Sequence, residues 1–462
     1  MSSTMQSNGE YVKVGTTERL SFGAGDLATN IAWGAMSTYI VFFYTDVLGL
    51  AAAAIGTIML LSRFLDGISD VAMGAVVDRT RSKQGRARPW LLWLAIPFAI
   101  SLVLVFTVPD VSNAWRIAYI AVFYNVLVLV FTAIVIPYGT LNTRMTRDFQ
   151  QRSSLNVTRM FAATAGTLLV TVATIPLVNA LGGDQRAWIL SFVVFGAIAA
   201  GLFLTTYRNT RERITDPLAA TQQPSLKDSL KAALSNRYWV ILFLVFLVFS
   251  VAESLYTGAS AYYARYILGD TNFVALVSFL LYIPALIGML IMQGIYRRFG
   301  KITPMIIGAA IFVVGSVIIA IDPSNINLAI IGTLVRGVGR IPIFGAIWGM
   351  LPDTIEYGEW KTGRRIEGVL YSAGSMGQKA GYGVGAAVLG WIMSAAGYSG
   401  LLATQPDTAI TAITAIFIYV PAALFVLLIV LFLLYRLERI YPTVESDLAA
   451  RHRASETGNA PE

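Results

Sequence analysis

Asp66 and Asp70 stand one helical turn apart inside an otherwise apolar stretch, with Arg63 one turn before Asp66, in Ser-Arg-Phe-Leu-Asp-Gly-Ile-Ser-Asp. The i, i+4 spacing puts both carboxylates on one helix face. Two carboxylates beside a guanidinium form a site whose net charge one proton or one monovalent cation can change. The same residues could instead be buried ion pairs that hold helices together. Lys379 lies in Ser-Met-Gly-Gln-Lys-Ala-Gly-Tyr-Gly, where glycines let helices or a substrate approach closely. It is the natural partner of a carboxylate elsewhere, or else a lysine reaching for an interface. Asp26 and Asn30 are again i, i+4 and could hydrogen-bond a polyol, although Asp26 is placed as well for a cap or gate. Arg336 and Arg340, one turn apart, suit a carboxylate or sulfonate, or one of them pairs with Glu253. Trp33, Tyr39, Phe131, Tyr138 and Phe344 could stack on a sugar ring or simply pack.

Their setting makes these residues informative. The chain has 462 residues, 56% hydrophobic and only 13% charged, too few charges for the surface of a soluble protein of this length. Apolar runs such as Pro89–Val108, Ala187–Thr206 and Ala409–Leu434 match a bilayer's hydrocarbon thickness. About twelve spans are readable, near 20–45, 52–78, 89–108, 114–142, 155–180, 187–206, 238–266, 273–296, 302–321, 326–350, 367–395 and 408–435. An ionisable group in such a span costs at least a few kcal/mol unless it faces protein or water, so it marks function.

Loop charge orients the spans. Basic loops follow the second span (residues 78–89), the fourth (Arg144, Arg147, Arg152), the sixth (Arg208, Arg211, Arg213, Lys227, Lys231), the eighth (Arg297, Arg298, Lys301) and the tenth (Lys361, Arg364, Arg365). The alternate loops carry Asp46, Asp110, Asp184, Asp270 and Asp322. The positive-inside rule makes the basic side, and both termini, cytoplasmic. The net charge of +8 is thus a matter of topology, and nucleic acid is not an expected partner. Residues 1–18 are polar with no cleavable signal, so the first apolar run reads as a retained anchor. The chain divides into a cytoplasmic segment 1–18, a six-helix bundle 19–206, a linker 207–236 with Pro217 and Pro224, a second bundle 237–435 and a polar tail 436–462. The tail is expected to be partly disordered. The basic loop at 78–89 recurs at 296–304, a repeat that marks the major facilitator architecture, all-α with two pseudo-symmetric bundles.

There is no cysteine, and the single histidine, His452, lies in the tail. Thiolate metal sites and a histidine-based catalytic centre in the membrane are excluded, and an enzyme is not expected. Neither metal nor cofactor is implied.

Several stretches carry a family resemblance: Phe-Phe-Tyr-Thr-Asp-Val-Leu-Gly-Leu (42–50), Arg-Phe-Leu-Asp-Gly-Ile-Ser-Asp (63–70), Arg-Ala-Arg-Pro-Trp (86–90), Ile-Pro-Tyr-Gly (136–139) and Pro-Asp-Thr-Ile-Glu-Tyr-Gly-Glu-Trp-Lys-Thr-Gly-Arg-Arg-Ile-Glu-Gly (352–368). In this order, over almost the whole chain, they resemble the glycoside–pentoside–hexuronide:cation symporter family, the relatives of melibiose permease. The last stretch is most similar to the glucuronide, xyloside and sulfoquinovose branches. The resemblance implies that Asp66 and Asp70 form the cation site and that Lys379 and Arg159 border the sugar cavity. The family's sugar-binding aspartate of the first helix falls at Asn30, with Thr29 where a lysine is expected. Its fourth-helix aspartate falls at Val135 and a nearby tryptophan at Gly139. A cargo other than melibiose is implied, and with a carboxylate gone the proton is favoured over sodium as coupling ion.

The expectation is therefore a monomeric symporter of the bacterial inner membrane, importing a sugar or glycoside with a proton by alternating access. Its cargo could be an anionic sugar such as a glucuronide or sulfoquinovose derivative. Asp66, Asp70 and Lys379 would handle the ion. Asp26, Asn30, Trp33, Phe131, Arg159, Arg336, Arg340, Phe344 and Lys379 would hold the substrate, with Arg63 and Glu253 in the charge network. The alternatives are sodium coupling and, in another class, a lysolipid flippase.

Overall fold

The computed structural model describes residues 14–146, 148–214, 234–362, 367–402 and 404–456. Arg147, Arg364, Arg365, the linker's Pro217, Pro224, Lys227 and Lys231, and the extreme ends lie outside the described residues. The described secondary structure is helical, as the periodic apolar runs require. The helices are α1 Thr16–Thr38, prolonged by Ile40–Phe42 and a π turn Phe43–Val47, α2 Ala52–Arg79, α3 Arg88–Leu104, α4 Asn113–Met145, α5 Phe149–Ala180 and α6 Gln185–Asn209. After the linker come α7 Arg237–Tyr266, α8 Phe273–Phe299, α9 Ile302–Ile321, α10 Ile326–Ala346, α11 Leu351–Thr362 and α12 Glu367–Ala395. α13 Asp407–Thr414 runs through the π turn Ala415–Tyr419 into α14 Val420–Leu434, and α15 is Leu437–Glu456.

Starts and stops follow local chemistry. Asp184 accepts from the Ala187 amide at the head of α6, and Asn325 from Asn327 and Leu328 at the head of α10. Among the described residues, eight helical stretches are long and apolar enough to cross a bilayer, nine if α8, whose two parts meet at 63°, is one span. α3 is shorter, at 17 residues. α1 and α12, read as spans from their sequence, are diluted by polar residues and glycines. These are the helices that carry Asp26, Asn30 and Lys379.

Contacts group the chain into two compact units, Met1–Leu218 with Thr257–Phe279 and Ala386–Ile413, and Ala219–Tyr256 with Leu280–Gly385 and Thr414–Glu462. Within the first, α1 packs on α5 through small residues. A Cβ at Gly166 would lie 2.5 Å from the Leu27 carbonyl oxygen, and one at Gly34 would lie 2.5 Å from Val170. Within the second, Gly377, Gly381 and Gly385 of α12 lie against Phe243, Leu247 and Ser254 of α7. In lipid, where burial of apolar surface does not drive helices together, such close packing does that work.

Both units also use the same loop device. Glu212, just after α6, accepts from the amides of Arg86 (3.0 Å), Ala87 (2.8 Å) and Arg88 (2.8 Å) at the head of α3. Glu438, just after α14, accepts from Lys301 (2.5 Å) and Ile302 (3.2 Å) at the head of α9. Each carboxylate satisfies amides that have no intrahelical acceptor and sits at the positive end of a helix dipole. Each also lies where the Cβ of a non-glycine residue would go, at Gly85 (φ +106°) and Gly300 (φ +72°).

The tail differs from expectation. α15 is a helix with Leu437, Val444 and Leu448 buried, and Tyr441 donates to Glu356 of α11 at 2.5 Å. Its apolar residues are few but fall on one face, enough to dock it.

Gly166→Val should cost about 1–3 kcal/mol by overpacking the α1–α5 contact. Gly139→Ala, where a Cβ meets nothing within 4 Å, should leave stability unchanged. Thermal unfolding of the purified variants checks both.

Candidate functional site

The first unit brings the acid pair together with groups from neighbouring helices. On α2, Arg63 Nη1 lies 3.3 Å from Asp66 Oδ2, and Arg63 Nη2 donates to Tyr124 Oη of α4 at 3.3 Å. Asp66 is buried and Asp70 is half-buried. Thr132 of α4 places its one hydroxyl 3.0 Å from Asp66 Oδ1 and 3.3 Å from Asp70 Oδ1. The two carboxylates therefore converge on a common point, while Arg63 offsets the charge of one. The guanidinium of Arg63 also lies over the Trp33 ring of α1, 5.7 Å from its centroid.

A second polar cluster lies further along α1. Arg159 of α5 forms an ion pair with Asp26, Nε to Oδ2 at 2.5 Å and Nη2 to Oδ1 at 3.4 Å. Its guanidinium lies over the rings of Tyr138 (4.9 Å) and Phe22 (5.6 Å). Asn30 donates to the Asp26 carbonyl at 2.8 Å, and Thr167 donates to its side-chain oxygen at 3.4 Å. Trp33 pairs with Phe131 of α4, ring centroids 6.2 Å apart. Both rings are half-buried and so keep surface for a ligand. Tyr39 and Tyr138 are fully buried. Their hydroxyls donate to the carbonyls of Thr171 and Phe22, so the structure uses them for packing.

In the second unit, internal pairing, one of the two readings open for the α10 arginines, is what the geometry shows. Arg340 Nη2 lies 2.7 Å from Glu253 Oε2 of α7, with both residues buried. Tyr256 donates to the other oxygen of Glu253, and the Tyr282 and Phe344 rings flank the guanidinium at 5.0 and 5.6 Å. Arg336 is 1% exposed, and its guanidinium donates to Ser316 Oγ (2.9 Å) and to the carbonyls of Phe417 (3.0 Å) and Ile418 (3.4 Å). Those carbonyls belong to the π turn Ala415–Tyr419, whose wider winding redirects backbone acceptors. Lys379 is half-buried on α12, midway between Gly377 and Gly381, two of the glycines that contact α7.

Sequence reasoning missed Thr132 and Tyr124, and a cluster around Asp46. The Asp46 carboxylate accepts from Thr45 (2.9 Å), Tyr266 (2.7 Å) and Tyr398, and pairs with Arg265 at 3.1 Å. These tie the end of α1 to the end of α7 and to the segment after α12. Only the repeated acidity of alternate loops pointed that way.

Residues 21–439 match the family model described as MFS/sugar transport protein. The isoprimeverose transporter of Lactiplantibacillus pentosus is 33% identical over 444 residues, covering 94% of this chain and 92% of the relative. The putative glycoside/cation symporter YagG of Escherichia coli is 32% identical over 455 residues, covering 96% and 97%. Among solved structures, a point mutant of the nucleoside transporter NupG superposes with a TM-score of 0.67 at 15% identity, covering 91% of this chain and all of NupG. That likeness shows the fold alone. The all-α membrane architecture is the major facilitator fold.

Arg340→Met leaves Glu253 buried without its cation and should cost about 3–5 kcal/mol, whereas Glu253→Leu with Arg340→Met should recover most of that loss. Thermal unfolding of the single and double variants measures it.

Proposed function

We propose that this chain, which belongs to the MFS/sugar transport protein family, is a symporter that imports a neutral glycoside together with one proton. It is a transporter and not an enzyme. The observation that carries the reading is the convergence of Asp66 and Asp70 on Thr132 beside Arg63. Arg63 pairs with Asp66, and a single proton taken up by the carboxylate pair changes its charge by one unit. Sodium is served less well, because Val135 stands where the family has a further carboxylate. A neutral cargo is supported by the engagement of three of the candidate cations. Arg159 is engaged by Asp26, Arg340 by Glu253, and Arg336 by backbone carbonyls and Ser316. The names of the relatives, an isoprimeverose transporter and a glycoside/cation symporter, support a glycoside.

In this reading Asn30, Trp33 and Phe131 hold the sugar from the first bundle. Transport proceeds by alternating access. The basic loops and both termini face the cytoplasm, in a bacterial inner membrane. One charge crossing ~100 mV contributes about 2.3 kcal/mol, enough for about fifty-fold accumulation.

Proteoliposomes with an inward proton gradient should concentrate isoprimeverose and take up protons with it. Asp70→Asn should abolish concentration while leaving exchange of internal for external sugar. Uptake that responds to sodium at fixed pH, without proton movement, would sink the proton assignment. Preferential uptake of 4-nitrophenyl glucuronide would sink the neutral-cargo assignment.

A further inference from the structure

The acid pair and the aromatic surface lie on different helices, and one side chain touches both. Arg63 pairs with Asp66 at 3.3 Å, holds Tyr124 Oη at 3.3 Å, and lies over the face of Trp33 at 5.7 Å. From this we infer that Arg63 and Trp33 together are the coupling element, through which the charge of the acid pair sets the position of the sugar-stacking indole. The inference rests on the glycoside reading of the site, and it adds the residues that transmit between ion and cargo.

The physical case begins with what holds the guanidinium. Among the described residues, the charged and titratable groups that face it include Asp66 on its own helix, Tyr124 on α4, and Asp70 one turn on, joined to Asp66 through Thr132. When the pair is fully ionised, Asp66 draws the guanidinium toward α2. When a proton or cation takes up one negative charge, that pull weakens. The ring face of Trp33, indole being the best aromatic acceptor for a cation, then takes a larger share of the hold on the guanidinium relative to the remaining carboxylate. Arg63 therefore has two partners whose relative hold depends on the occupancy of the acid pair.

Trp33 is placed to relay this. It is half-buried, it pairs with Phe131, and it lies on the same face of α1 as Asn30 and Asp26, at i+3 and i+7 from them. Beyond Val135, a Cβ at Gly139 of α4 meets nothing within 4 Å, so the α4 side offers room there. Of the two paired rings, Trp33 on α1 is the one in contact with the arginine of the ion site. Coupling is reciprocal: if charge at the pair moves the indole, a sugar stacked on the indole must alter the affinity of the pair for its ion by the same factor. Trp33 is in this sense a positioning residue as well as a contact.

The test needs no cargo for its first arm. Protein labelled with 5-fluorotryptophan gives a fluorine resonance for Trp33, assigned by its loss in Trp33→Phe. Titrated through the carboxylate range without sugar, that resonance should move in one transition, and the movement should vanish in Arg63→Gln and in Asp70→Asn. A resonance that stays still under both pH and sodium, or moves unchanged in Arg63→Gln, overturns the inference. A resonance that answers sodium at fixed pH and ignores pH keeps the coupling element and removes the proton reading, so the two can fail separately.

The second arm measures isoprimeverose affinity against pH, and stands if Arg63→Gln does not fold. Wild-type affinity should change ~10-fold across the transition and less than about two-fold in Trp33→Leu, as expected for loss of one partly desolvated cation–π contact. Phe131→Leu should weaken binding equally at every pH. If Trp33→Leu also weakens binding equally at every pH, Trp33 only stacks and the inference falls.

Discussion

The structure depends on one constraint: a charge placed in the hydrocarbon of a bilayer must find its compensation within the protein. Arg63 finds Asp66, Arg159 finds Asp26, and Arg340 finds Glu253. Arg336 meets the same demand with the carbonyls of a π turn and the Ser316 hydroxyl. Most of these solutions fix two helices against one another, so the charges set geometry as well as chemistry. The pairs also differ in kind. The Glu253–Arg340 pair is enclosed by Tyr256, Tyr282 and Phe344, which suits a fixed strut. The Arg63–Asp66–Asp70 group is looser, with longer contacts and a half-buried carboxylate, which suits a site whose occupancy changes.

What the sequence made legible follows from the same constraint. Acids and arginines in apolar runs are anomalous, so Asp66, Asp70, Arg336 and Arg340 stood out at once. Thr132 did not, because threonine is at home in a span. Thr171 and Thr158 donate to the carbonyl four residues back, at 2.8 and 3.0 Å, as threonines in helices usually do. Thr132 donates across helices to two carboxylates, and nothing in its neighbours announces that. Partner choice was likewise hidden. That Arg159 meets Asp26, 133 residues away, depends on how α1 and α5 are rotated, which span lengths do not encode. The helical tail escaped notice because its buried residues, Leu437, Val444 and Leu448, are sparse among charges.

The duplication was visible as a repeated basic loop, and the structure shows what the repeat is for. Glu212 and Glu438 come from segments that follow the last span of each half, and each caps a helix begun by the basic loop. A single carboxylate thus joins the loop to the end of its own half. The glycine in each loop leaves room for the carboxylate.

The placement of the site rests, in turn, on packing that has no charge at all. Asp26, Asn30 and Trp33 occupy one stripe of α1, and Arg63, Asp66 and Asp70 occupy one stripe of α2. A rotation of α1 by one residue, about 100°, would carry Trp33 away from Arg63 and Asp26 away from Arg159 together. What forbids that rotation is the close approach of α1 to α5 at Gly34 and Gly166, where even a methyl group would clash. The glycines set the rotation, the rotation sets which side chains meet, and those meetings determine whether a buried charge is compensated.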